Sequence, residues 1–151
     1  MIRKTNVARL RAARAFPSLL AEYAAECALE GLPPPSVRWD TYADLETAGL
    51  LHVLGAYDDD GELIGFLSLV VPVLPHYGVG VAVSESFFVT ASRRSCLAGL
   101  RLLSSGEALA IELGSPALLV SAPSKGNLCE LLPKCAYRET NRVFIKQLTH
   151  G

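Results

Sequence analysis

Between Leu51 and Ala122 the hydrophobic period of the chain changes twice, and those two changes leave few folds open. Leu51–Tyr57 and Leu63–Val73 are β-rich apolar runs separated by Asp58-Asp59-Asp60-Gly61, the pattern of a hairpin with a glycine-containing loop. Pro72, Pro75 and Gly78 mark a loop, after which Val81–Thr90 reads as another strand. From Arg94 to Leu113 the spacing becomes helical, with Gly99, Leu102, Leu103, Gly106 and Leu109 on one face and Arg101, Ser104, Ser105 and Glu112 on the other. Gly114 closes that helix and Pro116 blocks its continuation. Ala117–Ala122 is then an unbroken apolar run, as expected of a strand buried at the centre of a sheet. Strand, helix and strand in this order make a right-handed parallel crossover, whereas the hairpins supply antiparallel strands. The expectation is an α+β architecture: a mixed, mostly antiparallel sheet flanked by helices.

The flanking segments fill in the element order. Ile2–Thr5 can form a first strand, and Asn6 is a natural N-cap for a helix beginning at Val7. Pro17 either kinks that helix or opens a second one. Leu19, Leu20, Tyr23, Cys27 and Leu29 recur at near-helical spacing until Gly31 and Pro33–Pro35 stop the element. A short helix is expected over Asp40–Thr47, another over Lys125–Leu132, and terminal strands over Tyr137–Glu139 and Val143–Gln147. There is no repeat, linker or low-complexity segment, so residues 1–151 read as one domain.

Composition narrows the partners. Half of the 151 residues are hydrophobic and the net charge is −1, so the chain is globular and has no global field to draw in nucleic acid or an anionic membrane. It lacks a basic stripe, and its aromatics are not interleaved with Lys or Arg. An anionic ligand would have to be gripped by local geometry. Cys27, Cys96, Cys129 and Cys135 show no C-x-x-C spacing and His52, His76 and His150 are scattered, so no metal site is expected and the thiols read as reduced. The N-terminus lacks a signal-peptide pattern and the apolar run Leu63–Leu74 is too short to span a bilayer, which suggests a cytoplasmic protein.

The element order resembles that of the GNAT superfamily of N-acetyltransferases over nearly the whole chain. Tyr57-Asp58-Asp59-Asp60-Gly61-Glu62-Leu63-Ile64-Gly65-Phe66 looks like the family turn between second and third strands. Glu85-Ser86-Phe87-Phe88-Val89 looks like the fourth strand, which in the family carries a glutamate four residues before a valine. Arg94-Ser95-Cys96-Leu97-Ala98-Gly99 falls where the family has Q/R-x-x-G-x-G/A, and Cys135-Ala136-Tyr137 resembles the Leu-Gly-Phe after the last family helix. The sequence also resembles small phage and prophage members.

The resemblance implies an N-acyltransferase that takes an acyl group from acetyl-CoA, its co-substrate, to a small-molecule or protein amine by direct attack. It implies that Arg94 and the amides of Ser95, Cys96, Leu97, Ala98 and Gly99 hold the pyrophosphate, since the first turn of a helix presents unpaired N–H groups and a partial positive charge. Leu97 stands where the family has its first motif glycine, and its N–H can serve a phosphate if its φ is negative. Phe88, Val89 and Thr90 are placed along the pantetheine arm, with Asn127 approaching it from the last helix. The implied base is Glu85, which by strand alternation shares an apolar face with Phe87 and Val89, surroundings that favour proton uptake; the plain alternative is a solvated or ion-paired glutamate. His76, beside Tyr77 in the loop before that strand, is a second base candidate or simply an exposed loop residue. Cys96 in a first helical turn has no histidine partner in view, so nucleophilic catalysis is not expected of it. The family's helix tyrosine, a general acid, would fall near Leu132 and is missing. Its absence, with Leu97, keeps open a catalytically degenerate module of the same fold, virion-associated if phage-encoded. Homodimers are frequent in the family and are the expected assembly if there is one.

Overall fold

The computed structural model describes residues 1–149, with no account of the Cys96 side chain; His150 also lies outside the described residues. Five strands form one sheet in the order β1-β2-β3-β6-β7: β1 (Ile2–Thr5), β2 (Leu51–Tyr57), β3 (Leu63–Val70), β6 (Ala82–Val89) and β7 (Leu118–Leu119). β4 (Val73–Leu74) and β5 (Val79–Gly80) make a separate two-stranded ribbon. The junctions from β1 to β6 are antiparallel and β6–β7 is parallel, the mixed and mostly antiparallel sheet that the sequence implies.

Helices cover both faces. α1 (Val7–Ala12), α2 (Phe16–Cys27) and α3 (Trp39–Thr47) lie on one, where Leu10, Phe16 and Leu19 meet Val53, Phe66 and Phe88. Asn6 caps α1 by accepting the Arg9 N–H at 2.8 Å, and Pro17 falls in the first turn of α2, where its missing N–H costs nothing. α4 (Ala98–Glu112) lies on the other face and buries Leu102 and Leu109 against Leu67, Leu69 and Val89. α5 (Asn127–Leu131) is short and runs into a 3₁₀ turn at Leu132–Cys135. The Asp58 carboxylate organises the hairpin: one oxygen accepts the N–H groups of Asp60 and Glu62, and the other accepts Arg93 at 3.1 Å.

Four expectations need correction. β3 stops at Val70 rather than Val73, because Pro72 has no N–H to continue a ladder and the chain leaves the sheet there. The long helix begins at Ala98, not Arg94; residues 91–96 form a 3₁₀ turn, and Leu97 breaks the helical path with φ +60°. Ala117–Ala122 is no buried central strand: only Leu118 and Leu119 pair, Leu119 is exposed, and the strand is the sheet's edge. Pairing on one side only leaves its apolar residues half-covered. Finally, none of residues 137–149 enters a ladder. Ala136, at φ +63°, turns the chain off the 3₁₀ end, Tyr137 is tied to Glu107 instead, and a two-residue edge offers little template for further strands.

The tightest junction in the sheet is at Gly65. A Cβ there would stand 2.5 Å from the Phe88 carbonyl and 3.0 Å from a Val89 methyl, so no side chain fits without moving β3 from β6. Gly65→Ala is expected to lower stability by about 2 kcal/mol, read as a lower midpoint in urea unfolding with an unchanged slope.

Candidate functional site

The register between β3 and β6 holds the first clue. Ser68 faces Ser86, but the next residue, Leu69, faces Ser84, so Glu85 is an extra residue with no partner: a β-bulge. The bulge shifts the phase of alternation. Phe87 and Val89 pack on the α4 side, whereas Phe88 packs under α1 and α2. Glu85 does not share the face of Phe87 and Val89, as simple alternation requires; it joins Ser86 and Phe88 on the face of the first three helices. There its carboxylate accepts Tyr42 Oη at 2.6 Å through one oxygen and Ser68 Oγ at 2.6 Å through the other. The surroundings are therefore two hydroxyl donors on an exposed residue rather than an apolar wall. Ser68, itself buried, also lies 2.5 Å from Ser86 Oγ.

Aromatic rings frame this cluster. Tyr23 of α2 stands edge-on to Phe66 and Phe88, and Trp39 packs on Tyr42. Burial foremost, then the bond to Glu85, raises the Tyr42 phenol above its ordinary value. Burial, with smaller contributions from Cys27 and Glu85, pushes the Tyr23 phenol up to about 12. Both phenols are hydrogen-bond donors at neutral pH. Burial and then Glu26 raise the Cys27 thiol, so it is no ready nucleophile.

The second clue is where the sheet opens. β6 and β7 pair only through Ala82–Leu118 and Val83–Leu119. One more contact, from the Ser121 N–H to Ser84 Oγ at 3.1 Å, marks the point of divergence. Past it, Ser86–Val89 pair with β3 on one side, and among the described residues no strand pairs with the other. The bulge and the divergence coincide, as expected when an inserted residue bends and overtwists a strand.

The open edge of β6 runs out at the start of α4. The first α-helical bond of α4 is from the Arg101 N–H to the Leu97 carbonyl, so the N–H groups of Ala98, Gly99 and Leu100 precede it, and no side chain caps them among the described residues. A Cβ at Gly99 would meet only the rim of Phe87 at 4.0 Å, which leaves that turn approachable. Leu97 does not meet the condition of a negative φ. It adopts the left-handed conformation at φ +60°, with its side chain 57% exposed. Arg94 turns back from the loop: Nε donates to the Val89 carbonyl at 2.9 Å, Nη2 reaches both Glu26 oxygens at 2.7 Å, and the guanidinium lies over Phe88. Glu22 accepts Thr90 Oγ1 at 2.9 Å and the Ala91 N–H at 3.3 Å, fixing the turn between β6 and α4.

The structure thus brings Glu85, Phe88, Val89, Thr90, Arg94, Leu97, Ala98 and Gly99 onto one strand–turn–helix path, with Ser95 and the backbone of Cys96 inside the 3₁₀ turn. Asn127 is exposed at the first residue of α5. His76 sits in the exposed Leu74–Gly78 turn, in edge contact with the Tyr77 ring, and no hydrogen bond joins it to Glu85 among the described residues. Sequence reasoning did not find Tyr42, Ser68, Ser86, Glu22 and Glu26. For the serines a signal existed, since hydroxyls are out of place in the apolar runs Leu63–Val70 and Ala82–Val89. A shallow hollow of about 270 Å³ lies between β7 and the end of α4, and another borders the start of α4 at Leu97, Leu100 and Arg101; Glu85 lines neither. No helix of the described residues is long and apolar enough to cross a membrane, and among them no three of His, Cys, Asp and Glu gather as metal ligands would.

Comparison with solved structures identifies the fold. A ribosomal-protein-alanine N-acetyltransferase from Brucella melitensis biovar Abortus 2308 superposes with a TM-score of 0.70 at 23% identity, covering 98% of this chain and 99% of that one. A GNAT family acetyltransferase from Staphylococcus aureus subsp. aureus USA300_TCH1516 gives 0.68 at 16% identity, with 98% of each chain covered. AAC(6')-Iy, solved with the bisubstrate analog CoA-S-monomethyl-acetylneamine, gives 0.72 at 18% identity, covering 99% of this chain and 98% of that one. The chain has the GNAT acetyltransferase fold. No protein-family model and no curated protein sequence matches it.

The left-handed Leu97 supplies a test of the local geometry. An L side chain at that φ costs about 1–2 kcal/mol that glycine avoids. Leu97→Gly is therefore expected to raise stability by about 1 kcal/mol, measured as a higher unfolding midpoint.

Proposed function

We propose that the protein is an acyl-CoA-dependent N-acyltransferase, with acetyl-CoA as donor and a primary amine as acceptor. The observation that carries this reading is the run of open backbone on β6 that leads from the bulged Glu85 to the first turn of α4, which no side chain caps among the described residues. A pantetheine arm has amides along its length and can pair with such an edge as an added strand would. The pyrophosphate then falls at the N–H groups of Ala98, Gly99 and Leu100, where the helix dipole favours negative charge. Arg94 completes the phosphate grip by exchanging Glu26 for the diphosphate, and Asn127 meets the pantetheine arm from the facing helix.

In this mechanism the amine attacks the thioester carbonyl directly. Its nitrogen gains the new bond to the acyl carbon, the carbon–sulfur bond breaks, the thiolate leaves with coenzyme A, and the amine proton passes to Glu85. Glu85 is held for this role by Tyr42 and Ser68, which leave the carboxylate at the point where β6 loses its neighbour. His76 is given no step. The acceptor class stays open between small-molecule amines and protein amino groups: the similar structures named above include an enzyme titled for ribosomal-protein alanine and one bound to an acetylneamine analog.

A second reading, a non-catalytic module of the same fold, is favoured by one pair of observations: Leu97 holds a left-handed conformation where the family motif has glycine, and Arg94 is already paired with Glu26. Thermal unfolding separates the two. A ligand that binds only the native state at one hundred times its Kd adds about 2.7 kcal/mol, which for a domain of this size is a rise of roughly 5–10 °C. Millimolar acetyl-CoA is expected to produce a shift of that order, and Arg94→Ala to reduce it. Glu85→Gln is expected to keep the shift and to lower the rate of thiol release with an amine by about 100-fold or more. An unshifted wild-type protein would establish the module instead.

A further inference from the structure

Resting on the acyltransferase reading, we infer that Ser86 and Ser68 form a hydroxyl relay that carries the acceptor's proton to Glu85, with Ser86 the group that touches the acceptor nitrogen. The argument is an accounting of hydrogens. A carboxylate only accepts, so at 2.6 Å the single proton of Ser68 Oγ is committed to Glu85 Oε2. Ser68 and Ser86 are 2.5 Å apart, and Ser68 has no second proton to give, so Ser86 is the donor in that pair. The direction of the chain is thereby fixed: Ser86 to Ser68 to Glu85.

The consequence falls on Ser86. Its proton is spent on Ser68, so toward the opening it presents only lone pairs, the complement of an N–H group. It is half-buried and is the first residue past the divergence from β7 that pairs with β3, on the side of Phe88 and the first three helices. Ser68 is buried and cannot reach an acceptor itself. Glu85 accepts Tyr42 on its other oxygen at 2.6 Å, so two hydroxyl donors hold it at the end of the chain. Tyr42 is held as a donor by burial and by the same carboxylate, so it anchors the end of the chain without competing for the proton.

The step balances without an added reagent. As the amine nitrogen bonds to the acyl carbon, its proton goes to Ser86 Oγ, the Ser86 proton goes to Ser68 Oγ, and the Ser68 proton goes to Glu85 Oε2. The thiolate departs with the electron pair of the carbon–sulfur bond. Each serine ends with one proton, as it began, and the glutamate holds the one that the amine lost. Both hydroxyls are needed, because removing either interrupts the same transfer.

The test uses the full chain with acetyl-CoA, an aminoglycoside and an alanine-initiated peptide as acceptors, and thiol release as readout. Ser86→Ala and Ser68→Ala are each expected to lower kcat by roughly 10–100-fold, with the KM for acetyl-CoA unchanged. The double variant is expected to be no slower than the slower single, since residues acting as one unit do not add. Ser86→Thr, which keeps the hydroxyl, is expected to retain most of the activity. The solvent isotope effect of the wild type should bow in a proton inventory, and Ser86→Ala should flatten it. Should Ser68→Ala fail to fold, the Ser86 variants decide alone. Wild-type kcat in Ser86→Ala, or multiplicative losses in the double variant, overturns the relay while an active wild type leaves the acyltransferase reading standing. A wild type that releases no thiol with these amines and gains no thermal stability from acetyl-CoA removes both.

Discussion

Ser84 and Ser86 face a single step of β3, from Leu69 to Ser68, and the residue between them has no partner. Most of what distinguishes the site follows from that one-residue surplus. It turns the Glu85 carboxylate onto the face of the first three helices, within reach of the hydroxyls of Ser68 and Tyr42. It also bends β6 where β7 departs, so that the polar cluster and the open edge arise at the same place. Without the surplus residue, Glu85 would point at α4 with Phe87 and Val89, and the edge would have no acid–base group beside it.

Charge at the far end of the edge is arranged locally. Glu22 and Glu26 project from α2 to the turn between β6 and α4, the first holding Thr90 and Ala91 and the second holding Arg94. Asp58 reaches the same turn through Arg93. In a chain of net charge −1, the carboxylates of Glu22, Glu26 and Asp58 thus brace the segment that leads to the start of α4. The bracing keeps the 3₁₀ turn and the left-handed Leu97 in place, and it sets a competitor for any anion that approaches. Because the Arg94–Glu26 pair is partly exposed, that competition weakens as salt rises.

The sequence made the architecture legible wherever periodicity was strong. β1, β2 and the buried faces of β3, β6 and α4 stand where alternation and the 3.6-residue repeat put them. It failed where a run of apolar residues had no fixed partner: Ala117–Ala122 and Val143–Gln147 have strand composition, yet pairing is a property of two segments and composition reports one. It failed again at Glu85, because strict alternation assumes a ladder without insertions. Glu85 and Arg94 could be singled out as candidates from their spacing along one stretch of chain, although α4 begins four residues later than its period suggested. Tyr42, Glu22 and Glu26 could not, since they arrive from helices far earlier in the sequence.

The unequal ladders have a consequence for how the molecule breathes. β3 is locked on both sides along its length, whereas among the described residues the β7 segment is held to β6 by two residue pairs and two serine contacts, Ser115 to Ala82 and Ser121 to Ser84. Opening free energies track such local support. Backbone deuteration should therefore reach the amides of β7 and the segment beyond it well before those of β3. The cleft wall formed by β7 would separate from the rest while the wall formed by β6 stays shut to solvent on its β3 side. One side of the opening is a fixed jamb and the other a door.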